Sequence, residues 1–183
     1  MGDSPVNIIL LGYRGSGKTT LGRAAAHRLG YAYVDVDDAA REAFDGATIA
    51  EIWQTYGEPA WREAEVHATR RLLRSDNQVI GLGGGTLMQP GARQAIEHAR
   101  DARRIYLHAP APVLHQRIAG DAASAATRPS LTALGGSLAE IEQVLAQREP
   151  VYRAVADAVV DVAALDVDEA VEAVLAAAAD NAE

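Results

Sequence analysis

Gly12-Tyr13-Arg14-Gly15-Ser16-Gly17-Lys18-Thr19 stands between an apolar run, Val6-Asn7-Ile8-Ile9-Leu10-Leu11, and a segment of small residues, Thr20-Leu21-Gly22-Arg23-Ala24-Ala25-Ala26. The spacing G-x-x-x-x-G-K-[ST], with a strand before it and a helix after it, is that of a phosphate-binding loop. Glycines let consecutive backbone N–H groups converge on phosphate oxygens, and the helix behind them offers its positive end. Gly15, Ser16, Gly17, Lys18, Thr19 and Thr20 are therefore the expected nucleotide-binding residues. Lys18 would reach the β- and γ-phosphates, and the Thr19 hydroxyl would serve Mg²⁺, a hard cation that takes oxygen ligands.

The remaining composition limits what surrounds this loop. A chain of 183 residues with 49% hydrophobic content can bury a full core, and a single domain over 1–183 is expected. The formal net charge is -8 and no run of Lys or Arg occurs, so no nucleic-acid face is expected and an anionic ligand must be met by local arginines. The absence of cysteine excludes disulfides and thiolate metal sites and fits a reducing compartment. The five histidines are scattered, with no pair at ligand spacing on one helix. Met1-Gly2-Asp3-Ser4-Pro5 lacks a signal pattern, and no apolar run approaches the ~18 residues of a membrane span. A cytoplasmic monomer without membrane partners is expected.

Taken in order, residues 6 to 11 read as a buried strand and 17 to 29 as a helix that ends at Gly30. A second strand, Tyr31-Ala32-Tyr33-Val34, delivers Asp35-Val36-Asp37-Asp38 at its carboxyl end, where open α/β sheets bind their ligands. Strand alternation would put Asp35 and Asp37 on one side. Capping of a helix from Ala39 by Asp37 or Asp38 is the competing role. Residues 37 to 73 form a helical insertion: Thr48 or Asp45 caps a first helix, Gly57 breaks it, and Glu58-Pro59 opens a second. Trp61, Glu65, Ala68 and Leu72 fall on one inward stripe of that second helix. An inward acid needs a partner, and Arg62, three residues before Glu65, is within reach.

A third strand, Gln78 to Leu82, runs into Gly83-Gly84-Gly85-Thr86, where glycines admit close backbone approach. A helix from Pro90 to about Arg100, a strand from Arg104 to His108 and a helix carrying Arg117 follow. Residues 120 to 137, small and Gly-flanked, form the expected mobile lid, which contains Arg128. A helix from about Ser137 to Arg148, a strand Ala158-Val159-Val160-Asp161 and a helix from Val167 to Ala179 close the chain. The predicted class is α/β, a three-layer fold with a five-stranded parallel sheet flanked by helices.

On these residues the chain resembles the shikimate kinase family over nearly its whole length. The resemblance rests on Gly12 to Thr20, Asp35-x-Asp37, Ile49-Ala50-Glu51-Ile52 with Gly57-Glu58, Arg62-x-x-Glu65, Gly83-Gly84-Gly85, Arg128-Pro129 and Arg148-x-Pro150-x-Tyr152. It departs from the family at Ser130, where leucine is common, and at Leu82, where threonine is common. The resemblance implies transfer of the γ-phosphate of ATP to the 3-hydroxyl of shikimate, on the route to chorismate and the aromatic amino acids. It implies Asp37 as general base and Lys18 and Arg128 as charge-neutralising catalytic residues. Asp37, Arg62, Glu65, Arg148 and the backbone of Gly83, Gly84 and Gly85 would hold the acceptor. Arg117 would lie against adenine, and Thr19 with Asp35 would serve Mg²⁺. A gluconate kinase would share the loop but is not expected to combine the triple glycine with Arg62-x-x-Glu65. A non-catalytic nucleotide-binding regulator would be favoured by loss of Lys18, Asp37 or Arg128, all of which are present.

Overall fold

The computed structural model describes residues 7–121 and 135–180. Strands β1 (Asn7–Leu11), β2 (Ala32–Asp35), β3 (Gln78–Gly81), β4 (Ala102–His108) and β5 (Ala158–Asp161) form one sheet in the order β2-β3-β1-β4-β5, every pairing parallel. Parallel neighbours need crossovers, and crossovers place helices on both faces, so the central strand must be apolar on both sides. β1 is buried at all of its positions.

The crossovers are α1 (Lys18–Leu29), α2 (Val36–Arg41) with a 3₁₀ turn at Glu42–Phe44, α3 (Ile49–Tyr56), α4 (Glu58–Leu72), a 3₁₀ turn at Thr86–Met88 leading into α5 (Pro90–Glu97), α6 (Ala111–Ala119) and α7 (Leu138–Val155), and α8 (Val167–Ala179) follows the last strand. On one face Ile8, Leu10, Val79 and Leu107 pack against Leu21 and Ala25 of α1 and Val171 and Val174 of α8. On the other, Ile9, Leu11, Ile80 and Tyr106 pack against Ile52, Trp61, Ala68 and Ile96. Trp61 is fully buried, and its truncation to alanine would cost about 3–5 kcal/mol. No described helix is long and apolar enough to cross a membrane.

The entry to α2 and the length of α7 differ from the expectation. β2 ends at Asp35, and it is Asp35, not Asp37 or Asp38, that caps the next helix. Its Oδ1 accepts the N–H groups of Asp37 at 2.9 Å and Asp38 at 3.4 Å, so α2 begins at Val36 rather than Ala39. The turn of that helix, not strand alternation, therefore sets the relation of Asp35 to Asp37. α3 is capped by Thr48 in a box with Glu51, worth about 1 kcal/mol.

α7 does not stop near Arg148 but continues through Pro150 to Val155. Proline removes one helical hydrogen bond, which the burial of Tyr152 and Val155 in the second core offsets. The amino-terminal half of α7 (Ile141, Val144, Leu145) packs into the first core, so this helix joins the two layers. Arg128, Pro129, Ser130 and most of the expected lid lie outside the described residues.

Candidate active site

The phosphate loop leaves the end of central β1 and enters α1 through Gly17, whose φ of 95° is open to glycine but strained for a residue with a Cβ. α1 has no side-chain cap and no acid in its first turn, whereas α3, α7 and α8 are each capped by a side chain. The uncapped N–H groups and the positive helix end are left for an anion. Lys18 Nζ donates to the carbonyls of Gly12 at 2.8 Å and Tyr13 at 2.9 Å, which folds the ammonium back along the loop. The loop floors a cleft of about 440 Å³, walled by Asp35, Asp37, Arg117, Val162 and Leu165. Arg117 is tied to the wall by a 2.7 Å bond from Nη2 to the Val162 carbonyl.

Asp35 and Asp37 stand where β2 meets α2, over that cleft. Asp35 Oδ2 accepts from the Tyr33 hydroxyl at 3.1 Å, which with the helix cap engages both carboxylate oxygens. Burial and the neighbouring Asp35 charge raise the Tyr33 hydroxyl well above its ordinary range, so it stays protonated. Among the described residues no cluster of three or more His, Cys, Asp or Glu could cage a metal. Among the oxygen groups that line the cleft, the Thr19 hydroxyl stands at the start of α1 and the Asp35 carboxylate at the end of β2. This sparse, hard set suits Mg²⁺, which keeps most of its shell for water and phosphate.

A second, smaller pocket of about 70 Å³ opens beside the first, and Arg14, Asp37 and Gly84 line both. α4 brings Arg62 and Glu65 to it one turn apart. Glu65 is 1% exposed; its Oε2 takes the Arg62 Nη1 at 2.6 Å and its Oε1 takes the Thr86 hydroxyl at 2.9 Å. The other edge of the Arg62 guanidinium donates to Glu58 at 2.8 and 3.0 Å, and the group lies 5.4 Å from the Trp53 ring centroid. Burial disfavours the Arg62 charge, but the two glutamates outweigh it and raise its pKa. The exposed i,i+3 pair that a surface helix would carry is thus excluded, since the Arg62 side chain is only 17% accessible.

Arg148, from the middle of α7, lines the same pocket as Arg62. Its neighbour Tyr152 donates to the Gly84 carbonyl at 2.5 Å, and burial pushes the Tyr152 hydroxyl up to about 12 against the pull of Arg148. The triple glycine is needed because these charged ends crowd its backbone. A Cβ at Gly83 would lie 2.3 Å from Asp37 Oδ1 and 2.9 Å from Glu65 Oε1, and one at Gly85 would lie 2.8 Å from Arg62 Nη1. At Gly84 the nearest atom is Arg148 Nη1, 3.4 Å away. The glycines admit the site's own side chains as closely as they could admit a ligand.

The sequence-derived residues thus converge: Lys18, Thr19, Asp35 and Arg117 on the larger cleft, Arg62, Glu65, Gly85 and Arg148 on or behind the smaller pocket, with Asp37 and Gly84 between them. Thr20 lies beside Thr19 on the exposed first turn of α1. Two contributors had no separate signal, because both occupy variable positions of the loop. Tyr13 is buried in the pocket wall, and burial raises its hydroxyl against the opposing charges of Arg14 and Arg148. Arg14 is paired at 3.5 Å with Glu140, a fully buried acid in the first turn of α7.

Known proteins place this arrangement in a family. The family model described as shikimate kinase matches residues 14–179. A shikimate kinase of Rhodopirellula baltica is 40% identical over 174 residues, covering 95% of this chain and 91% of the relative. The structure of shikimate kinase from Acinetobacter baumannii in complex with shikimate superposes with a TM-score of 0.84 at 28% identity, over 94% of this chain and 92% of that one. A gluconokinase from Sinorhizobium meliloti aligns with a TM-score of 0.60 at 22% identity, over 96% of this chain and 93% of that one, and shares the fold alone. The match runs from the phosphate loop to the last helix, and the chain belongs to the shikimate kinase family.

Proposed function

We propose that the two adjoining pockets divide the family's reaction between them, ATP occupying the loop-floored cleft and shikimate the smaller pocket. The observation that carries this reading is Asp37, a carboxylate on the boundary of both pockets and therefore between donor and acceptor. Shikimate brings one carboxylate and three hydroxyls. Arg62 and Arg148 suit the carboxylate, because a planar guanidinium matches it in two-pronged fashion. Arg14 adds a third cation on the same wall. Glu65 positions Arg62, and its second oxygen, held by Thr86, keeps it from turning away.

Asp37 would accept a hydrogen bond from the 3-hydroxyl and take its proton as the oxygen attacks the γ-phosphorus and the bond to the ADP oxygen breaks. Phosphoryl transfer is loose, so positioning and charge neutralisation supply most of the rate and no strong base is required. Lys18 would neutralise the transferring group, and Arg128, which lies outside the described residues, takes the same role on the strength of its sequence context. Thr19 and Asp35 would hold Mg²⁺, which would supply charge neutralisation to the phosphates. Arg117, fastened to Val162, would form the adenine wall. The cysteine-free composition supports a cytoplasmic site of action.

Coupled ADP release tests the assignment. Shikimate should stimulate ADP release far above the rate with gluconate or with no acceptor. Equal rates in all three conditions would leave a nucleotide-binding protein without this acceptor, and stimulation by gluconate alone would move the chain to another substrate.

A further inference from the structure

Tyr33 sits on β2 two residues before Asp35, at a place where an apolar strand residue would satisfy the fold. Its ring and hydroxyl are accommodated by two glycines on separate elements. A Cβ on Gly22 of α1 would lie 2.5 Å from the ring carbon Cε2, and a Cβ on Gly81 of β3 would lie 2.5 Å from the hydroxyl oxygen. Neither glycine has the positive φ that would require it for backbone reasons. The space goes to a phenol whose hydroxyl donates to Asp35 Oδ2 at 3.1 Å and lies near enough to Thr19 to interact with its side chain.

These contacts have a direction. The Tyr33 proton is committed to a carboxylate that cannot donate, so the phenol oxygen is left as an acceptor towards the Thr19 hydroxyl. A threonine whose proton points back at Tyr33 turns its lone pairs to the open cleft, the orientation that a hard cation needs. Asp35 is fixed at the same time, Oδ1 by the α2 amides and Oδ2 by Tyr33. We propose that Tyr33 is a positioning residue for the divalent cation, a phenol bridge that orients Thr19 and Asp35 together and for which Gly22 and Gly81 make room. This rests on the reading of Thr19 and Asp35 as the cation-side oxygens. Outer hydrogen-bond partners of this kind commonly change metal affinity by roughly 10-fold or more.

The test is the gain in ADP affinity that Mg²⁺ confers on the full chain, measured by titration calorimetry with Mg²⁺ and in chelator. In Tyr33→Phe that gain should fall roughly 10-fold, while metal-free ADP affinity and the melting temperature stay near the native values. Gly81→Ala should reproduce the defect in the native background by displacing the hydroxyl. It should add little in Tyr33→Phe, where the clashing atom is gone. A full Mg²⁺ gain in Tyr33→Phe, or equal losses from Gly81→Ala in both backgrounds, overturns the bridge. Absence of any Mg²⁺ gain in the native protein would instead overturn the cation assignment of Thr19 and Asp35.

Discussion

The two halves of the site are built from different material. At the nucleotide cleft the principal groups are backbone amides of one continuous octet, set at the uncapped start of α1, with a single lysine folded along them. At the proposed acceptor pocket they are side-chain ends from four separated segments: Arg14, Asp37, Arg62 with Glu65, and Arg148. The first half is a local turn that many sequences could adopt. The second exists only when the fold is assembled, because the phosphate loop, the start of α2, α4 and α7 each bring side chains to it; Arg62 is held within α4 by Glu58 and Glu65, and Arg14 by Glu140 of α7. On the proposed division, affinity for phosphate would be local, and choice of acceptor would belong to the tertiary structure.

That contrast can be broken in graded ways. Lys18→Ala should lower kcat roughly 10³-fold or more with either half otherwise intact, since it removes a charge from the transferring phosphoryl group. ADP release by steady-state assay checks it, and near-native turnover would remove Lys18 from the chemistry. Gly83→Ala is the sharper probe of the acceptor half. Its Cβ, 2.3 Å from Asp37 Oδ1, must push that carboxylate aside, so kcat/KM for shikimate should fall roughly 100-fold. Nucleotide binding by calorimetry should be preserved; an equal loss of ADP affinity would mean that the two halves are not separable.

Arg62→Lys and Arg148→Lys should each raise the KM for shikimate about 10-fold or more and leave the KM for ATP within about 2-fold, because an ammonium cannot restore a bidentate contact. Initial-rate kinetics with each substrate varied would show it. The smallest effect is expected from Arg117→Ala, a rise of a few-fold in the KM for ATP and none for shikimate, as one wall of the cleft loses its tether to Val162. A rise in the shikimate KM instead would place Arg117 on the other side of the boundary.

The same division explains what could be read before the fold was known. The strand, loop and first helix were legible because their signal is contiguous, down to the left-handed Gly30 that ends α1. Arg62 and Glu65 were legible because one helical turn joins them. The triple glycine was visible, but its crowding by Asp37, Glu65 and Arg62 was not, since those atoms come from other elements. Asp35 as a helix cap escaped because its carboxylate competes for two roles that composition does not distinguish. The passage of α7 through Pro150 escaped for a similar reason: local propensity argues for a stop, and only the burial of Tyr152 and Val155 argues against it.

The strand order has a consequence for the birth of the chain. β1 is made first and lies at the centre of the sheet, yet its partners are β3, beginning at Gln78, and β4, beginning at Ala102. At ordinary rates of synthesis its two edges remain bare for roughly ten seconds, an apolar Ile-Ile-Leu-Leu ribbon with unpaired amides. α1 can form behind it at once, because helical contacts are local, but the sheet cannot. The pocket that receives Arg148 is completed later still, after α7 has left the ribosome. A nascent fragment ending before α7 would therefore hold the phosphate loop without the means to choose an acceptor, and its exposed central strand would make it a client for chaperones.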